Sequence, residues 1–352
     1  MRIGLTFDLR SEYLALGYGD EETAELDQPG TIDAIESTLR VLGHHPQRIG
    51  GLRPLMAALL RGDRWDLVFN ICEGMHGVGR EAQVPAVLDA FQIPYTFADP
   101  LSAALTLDKA MTKRVLRSAG IATADFAVVE VITDVDAVDL GWPAFCKPIA
   151  EGTAKGIDAR SRVETRDALR ARCAELLDRY RQPVLVEPFL PGREVTCGIV
   201  GTGRQARVIG TLEIELAAGA DAHAYTYRNK EECETLCTFA RAVDDDAAAA
   251  EALALSAWRA LGCRDGGRVD LQADRDGRFM VLEINPLPGL HPTHSDLPIL
   301  ATQVGLAYSD LLAEIVGSAA ERVFVTPRVV SVDPRGGIVG GDRGAPLVRD
   351  AR

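Results

Sequence analysis

Two runs, RVDLQA (268–273) and FMVLEIN (279–285), stand on either side of a segment containing Arg275-Asp276-Gly277. An Asp-Gly pair between two such runs signals a hairpin, because both residues tolerate the positive φ that a tight turn requires. A two-residue Asp276-Gly277 loop would place Asp270 opposite Glu283 and Arg268 opposite Asn285. Side chains alternate along a strand, so all four would project from one face. Like charges directly opposite each other repel unless a cation lies between them. Val269, Leu271, Val281, Leu282 and Ile284, on alternate or adjoining positions, supply apolar cover. Oxygen ligands from Asp, Glu and Asn suit Mg²⁺, which takes one or two carboxylates and completes its shell with water and phosphate oxygens. The competing reading is a solvated hairpin face whose charges have no function.

The preceding chain is organised in blocks. IGLTF (3–7) reads as a buried strand. It is followed by a helix with Thr31 as N-cap, Ile32, Ile35, Leu39 and Leu42 at helical spacing, and a stop at Gly43. WDLVFN then reads as a strand and QVPAVLDAFQ as a helix. This alternation implies an α/β, doubly wound parallel sheet over residues 1–107. The first strand runs into FDLRSEY rather than GxGxxG, so no nicotinamide site is expected. Asp108 caps the helix LDKAMTKRVLRSAG, which ends at Gly120. FAVVEV and PAFCKPI read as strands, and VETRDALRARCAELLDRY as a helix. VLVEPFL, REVTCGIVG and ARVIGTLEIEL follow as strands. An α+β lobe is therefore expected over 108–186, a strand-rich lobe over 187–318, and a partly disordered tail over 319–352.

Charge narrows the functional classes. The chain carries 38 basic and 51 acidic residues, net -13, which disfavours a broad grip on nucleic acid or on an anionic membrane. No apolar run approaches the roughly 20 residues of a spanning helix, and MRIGLTFDLR lacks the layout of a signal peptide. A cytoplasmic protein with no nucleic-acid or membrane partner is expected. The seven cysteines read as reduced, mostly buried thiols, because Cys233 and Cys237 have no nearby second pair to build a zinc site. Only five of the basic residues are lysine, at 109, 113, 147, 155 and 230. In so arginine-rich a chain the surviving lysines are candidates for sites that need a compact ammonium.

Lys147 ends the strand PAFCK and precedes PIAEGTAKG, whose small residues Gly152, Thr153, Ala154 and Gly156 let backbone N–H groups approach phosphate oxygens. In VLVEPFLPGRE a strand runs into a polar link bearing Glu187 and Glu194. Such a link can offer backbone groups to an adenine edge and a carboxylate to ribose hydroxyls. Taken alone it reads as a plain linker between lobes.

The order LDKAMTK, PAFCKPIAEGTAKG, VEPFLPGRE, RVDLQAD, LEINPLPGLHP resembles the ATP-grasp superfamily, and most closely its D-alanine:D-alanine ligase-like carboxylate-amine ligases, over residues 3 to 316. Glu283-Ile284-Asn285 followed by Pro288-Gly289 is the most specific part. The resemblance implies an ADP-forming ligase that activates the carboxylate of an amino acid or small peptide as an acyl phosphate and joins it to an amine. It implies ATP and Mg²⁺, with Mn²⁺ as a substitute, and a homodimer. Lys109 and Lys147 would contact ATP phosphates under the loop Gly152–Gly156, with Thr153 in place of the family's serine. Glu187, Pro188, Phe189 and Leu190 would form the adenine hinge, and Glu194 would hold the ribose. Asp270, Glu283 and Asn285 would bind two Mg²⁺, Arg268 would stabilise the oxyanion, and Lys230 would cover the γ-phosphate.

The substrate end departs from the D-alanine:D-alanine pattern. Glu73-Gly74 stands where those ligases have His-Gly, with His76-Gly77 as a shifted match. Glu231 rather than tyrosine follows Lys230, and no one of Glu21, Glu22 and Glu25 is a unique counterpart of the N-terminal substrate glutamate. The segment LHPTHSDLP is one residue longer than the family's, with Ser295 as the contact for an acceptor carboxylate. A pocket built to hydrogen-bond one substrate rejects others strongly, so these changes point to redirected specificity. D-alanine:D-alanine ligation proper is one alternative. A catalytically silent nucleotide-binding protein of the same fold is the other, and its signature would be loss of a metal ligand or of Arg268.

Overall fold

The computed structural model describes residues 1–217, 219, 229 and 233–325, built on three sheets. Strands β1 (Arg2–Thr6), β2 (His45–Arg48) and β3 (Leu67–Asn70) form the first, in the order β2-β1-β3 and all parallel. Parallel neighbours need crossover connections. A short α1 (Arg10–Ala15) and then α2 (Pro29–Val41) connect β1 to β2, and α3 (Leu52–Arg61) connects β2 to β3. Helix α2 starts before the expected Thr31 cap: Gln28 is the flanking residue and Thr31 is buried inside the helix. Pro29 accounts for the difference, since its fixed φ suits the first turn and its missing N–H leaves no orphan donor. Ile32, Ile35 and Leu39 are buried as the spacing predicts. α4 (Gln83–Ala90) and α5 (Pro100–Leu107) complete this part of the chain.

α6 (Lys109–Ser118) follows at once, capped by Asp108, whose side chain accepts from Met111 N at 2.9 Å. The second sheet comprises β4 (Ala127–Val129), β5 (Ala144–Pro148), β6 (Arg162–Val163) and β7 (Val184–Pro188), in the antiparallel order β4-β7-β5-β6. α7 (Arg166–Tyr180) covers it through Leu169, Cys173 and Leu176.

The third sheet contains β8 (Glu194–Val200), β9 (Arg207–Leu216), β10 (Cys237–Ala242), β11 (Gly266–Ala273) and β12 (Phe279–Asn285), ordered β10-β9-β8-β11-β12. The short α8 (Cys233–Leu236) precedes β10. One face packs on α9 (Asp245–Ala260), where Ala250, Ala254, Ala257 and Trp258 meet Val195, Cys197, Val269, Leu271, Val281 and Ile284. The alanines let helix and sheet approach closely, and Trp258 fills the remaining space with no exposed surface.

The β11–β12 hairpin realises the expected pairs, Asp270 with Glu283 and Arg268 with Asn285, but by another route. The loop is not the two residues Asp276-Gly277. It spans Asp274–Arg278, closed by Asp274 N to Arg278 O at 2.9 Å. That loop alone would slip every partner by one residue. A bulge between Asp270 and Leu271 offsets it: Leu271 pairs with Val281 and Asp270 with Glu283, leaving Leu282 as the extra residue.

The chain then returns to its beginning. α10 (Asp296–Gln303) and α11 (Tyr308–Val325) place Leu297, Leu311, Leu312, Ile315, Val316 and Ala319 in the same core as Ile3, Leu5, Ile32 and Ile35. α11 runs to Val325, past residue 319 where the sequence suggests a tail. Ala319 is part of the core, and Arg322 donates to Tyr95 O at 2.9 Å and pairs with Asp265. Those contacts carry the helix onward, and residues 326–352 lie outside the described ones.

Candidate active site

A cleft of about 900 Å³, its open mouth included, lies between the second and third sheets. It is lined by Lys109, Lys147, Glu187, Pro188, Phe189, Leu190, Glu194, Arg268, Asp270 and Glu283 among the site residues singled out by sequence, by Leu282, expected there only as apolar cover, and by Phe145, Thr196, Ile214 and Gln272, which were not singled out. β12 explains the division. Val281 and Ile284 turn into the core, while the bulge brings Leu282 and Glu283 to the cleft side by side.

The carboxylates opposed across the hairpin each have a cation. Arg268 pairs with Asp270 and lies 3.6 Å from Asp296, and Lys109 Nζ is 3.1 Å from Glu283 Oε2. Asp270 also accepts from Thr196 Oγ1 at 2.9 Å and from Asn285 Nδ2 at 3.2 Å. Arg268 is deeply placed; burial opposes its charge, but Asp270, Asp296 and Glu283 outweigh burial and hold the guanidinium firmly protonated. Asp270 and Glu283 line the cleft, and Asn285, which is not among the lining residues, adjoins them through Asp270; two carboxylates and a neighbouring amide match a hard oxygen-seeking cation that keeps water and phosphate in its shell. Among the described residues no three His, Cys, Asp or Glu side chains converge to make an all-protein cage.

Every described lysine is buried and ion-paired. Lys109 donates to Glu151 O at 2.7 Å besides meeting Glu283. Lys147 lies 2.8 Å from Glu187 Oε2, and Lys113 pairs with Glu187 Oε1. Lys155 pairs with Glu151 and lies 3.0 Å from Glu25 Oε1. Burial alone would raise Glu187, but the two ammonium groups outweigh it and bring the acid down to about 2. Lys113 and Lys155, without an assigned role in the sequence, were already marked by lysine scarcity.

The loop after β5 is tied to the first sheet's part of the chain. Gly152 N donates to Glu25 Oε1 at 2.6 Å, and Glu25 Oε2 takes Arg80 Nη2 at 2.7 Å. Arg80 Nη1 in turn reaches Ala150 O at 2.9 Å. Thr153 and Ala154 both have positive φ, 49° and 55°, a conformation costly outside glycine. Gly156 has φ +72°, and a Cβ there would meet Pro148 and Tyr180 at under 3 Å. Of the three candidate N-terminal glutamates, Glu25 is the one that contacts the loop itself, while Glu21 pairs with Arg179 and Tyr180 beside it. Farther in, Glu73 is pushed well above the usual carboxylate range by burial first and by Glu81 and Glu25 next.

Ser295 is not part of the cleft wall. It flanks the start of α10, and its Oγ accepts from His291 N at 3.0 Å. Gly152 and Thr153 sit behind Glu151, Ala154 and Lys155, which are the loop residues facing the cleft. Lys230 and Glu231 lie outside the described residues. In the cleft wall, Phe145 and Phe189 have ring centroids 6.4 Å apart, and Arg162 stacks 5.1 Å over Phe189. These aromatic contacts escape a linear reading because β5 and β7 become neighbours only in the sheet.

Comparison with known proteins bears on this geometry. Residues 115–317 match the family described as D-ala D-ala ligase C-terminus. A D-alanine–D-alanine ligase of Cupriavidus metallidurans is 34% identical over 307 residues, covering 85% of this chain and 88% of that protein. One of Xylella fastidiosa is 35% identical over 289 residues, covering 80% and 90%. Among solved structures, the D-alanine–D-alanine ligase of Bacillus anthracis complexed with ATP superposes with a TM-score of 0.67 at 23% identity, covering 92% of this chain and 99% of that one, a likeness of ATP-grasp fold.

Proposed function

The chain belongs to the D-alanine–D-alanine ligase family, ADP-forming carbon–nitrogen ligases of the ATP-grasp fold, and from that premise we propose that its own cleft joins the carboxylate of an amino acid or small peptide to an amine at the expense of ATP. The carrying observation is that Lys109, Lys147, Arg268, Asp270 and Glu283 converge on one cleft with an apolar slot beside them.

A carboxylate resists attack by an amine because its leaving group would be oxide. Transfer of the γ-phosphoryl group of ATP makes an acyl phosphate, and the amine then displaces phosphate. Phe145, Phe189, Leu190, Ile214 and Leu282 would flank the adenine, with Glu187 and Pro188 along the hinge and Glu194 at the ribose. Lys109 and Lys147 would hold the phosphates, and Lys230 would close over the γ-phosphate. Asp270, Glu283 and Asn285 would hold two Mg²⁺, for which Mn²⁺ can substitute; bound there, the metal neutralises charge as the phosphoryl group moves. Arg268 would donate to the oxyanion formed when the amine attacks, and Ser295 would receive the acceptor carboxylate. The loop 151–156, latched through Glu25 and Arg80, would keep water from the acyl phosphate. The lobes 1–107, 108–186 and 187–318 would close around the reactants. A cytoplasmic homodimer completes the reading; the buried thiols of Cys72, Cys146, Cys173, Cys197 and Cys263, none in a disulfide, support a reducing compartment.

Use of D-alanine as both substrates is the second reading, favoured by what the relatives are called. The acidic donor end around Glu73 favours another pair. The deciding experiment is ADP release with ATP and Mg²⁺ across D- and L-amino acids, singly and in pairs, with products identified by mass spectrometry. A D-alanyl-D-alanine product establishes the second reading. Turnover only with other pairs establishes the first, and acceptor-independent ADP release overturns both.

A further inference from the structure

Lys113 sits on α6 one turn beyond Lys109, and its side chain has no exposed surface. Its Nζ lies 2.7 Å from Thr123 Oγ1 and pairs with Glu187 Oε1. Thr123 carries the connection onward, donating to Val281 O at 2.8 Å, two residues before Glu283. On the other side of the same carboxylate, Glu187 Oε2 meets Lys147 at 2.8 Å. One anion therefore lies between two cations, and of those two only Lys147 lines the cleft.

Charge balance shows what the second lysine does. With Glu187 and Lys147 alone the pair is neutral, and the Lys147 ammonium is engaged by its partner. Lys113 adds a second positive charge in a space closed to water, where uncompensated charge is costly. Glu283 and Glu194 also act on Lys147 from the cleft, so Lys113, by offsetting the carboxylate nearest to Lys147, leaves that ammonium able to take a further anion. Glu187 is held near 2, so it is ionised at neutral pH and offsets one of the two ammonium charges beside it. Burial pulls Lys113 downward, so Glu187 and Thr123 are what keep its ammonium in place.

We infer that Lys113 is a positioning residue for nucleotide: it engages one oxygen of Glu187 so that the ammonium of Lys147 stays available to phosphate, and through Thr123 it ties that wall of the cleft to the strand bearing Glu283. A compact ammonium is required, since the planar fork of arginine does not fit an enclosed site between a hydroxyl and one carboxylate oxygen. The inference rests on the cleft being the ATP site.

The test is calorimetric titration of ATP with Mg²⁺ into the full-length wild type, Lys113→Met, Thr123→Val and the double variant Lys113→Met/Glu187→Gln, with thermal unfolding of each free protein measured alongside. Lys113→Met is expected to raise Kd for ATP at least about tenfold. The double variant, which restores a net positive charge at Lys147, is expected to bind ATP more tightly than Lys113→Met alone. A purely structural role predicts the reverse, since the double variant loses one more buried partner. Unchanged ATP affinity in Lys113→Met, or a double variant no better than the single, overturns the inference. If Lys113→Met fails to fold, Thr123→Val decides: a Kd rise of about threefold or more supports the inference and an unchanged Kd overturns it. Wild type that does not bind ATP removes the reading of the cleft itself, and the inference with it.

Discussion

Asp270 faces Glu283 across the β11–β12 hairpin because Leu282 is left over between them. The bulge compensates for a loop longer than an Asp-Gly turn, and the two acids meet on the cleft side with Arg268 and Lys109 as their cations. Removing one acid should therefore disable metal and phosphate handling while sparing the core, which lies on the other face of the sheet. Glu283→Ala is expected to lower ligase turnover by at least about a thousandfold, with circular dichroism unchanged and the melting temperature shifted by only a few degrees. Near-normal turnover would remove the metal assignment.

As the proposed oxyanion donor, Arg268 would act in the second half-reaction. One preorganised oxyanion donor is typically worth about 3–4 kcal/mol, or roughly a hundred- to a thousandfold in kcat. Arg268→Ala is expected to lose that much in amide formation, with KM for ATP changed less than about threefold. A loss carried mainly by the KM for ATP would reassign Arg268 to nucleotide binding.

The link from Glu25 to Gly152 N predicts a coupling defect. Burial favours a neutral Glu25, yet Arg80 and Lys155 outweigh burial and hold it at about 2, so the latch keeps its charge throughout the neutral range. Glu25→Gln leaves Arg80 and Lys155 short of a buried counter-charge, which typically costs about 3–5 kcal/mol. A looser loop admits water to the acyl phosphate. The ratio of ADP released to amide formed should rise clearly above one, and amide exchange should speed up over residues 150–156. A ratio that stays at one would show that the loop closes without this contact.

Asp27 sets a slope of stability with pH. Burial first, and then repulsion from Asp8, raise its carboxyl from 3.8 to about 8. Between those values the folded chain holds a proton that the unfolded chain has released, so this group's contribution to stability falls as pH rises from about 4 to about 8. Asp27→Asn removes the titration. Chemical denaturation at about pH 5 and about pH 8 should show a smaller drop for the variant than for the wild type. Parallel behaviour of the two proteins would contradict the raised acid.

Features that rest on local chemistry are legible in the sequence. Period-two alternation puts Arg268 with Asp270 on one face of β11 and Glu283 with Asn285 on one face of β12, and the register then brings the two pairs together. Asp108 caps α6 by its own side chain, a bond formed within four residues. The scarcity of lysine singled out residues that prove buried and ion-paired at every described position. Glu187 reads as an adenine-hinge residue in sequence, whereas its two lysine partners come from β5 and α6 and are found only in space.

What the sequence by itself determined about this protein are the features governed by short range: element type, caps, which strand faces are apolar, and the order of motifs that marks the family. The tertiary structure decided the contacts made across long separations. Leu282 bulges because the loop and the paired ends of the hairpin must both be satisfied. Glu25 reaches Gly152 across 127 positions, and Ala319 joins the core of the first sheet. Such contacts depend on where separate elements come to rest, and no local spacing encodes a distance between side chains that meet only after the core has packed.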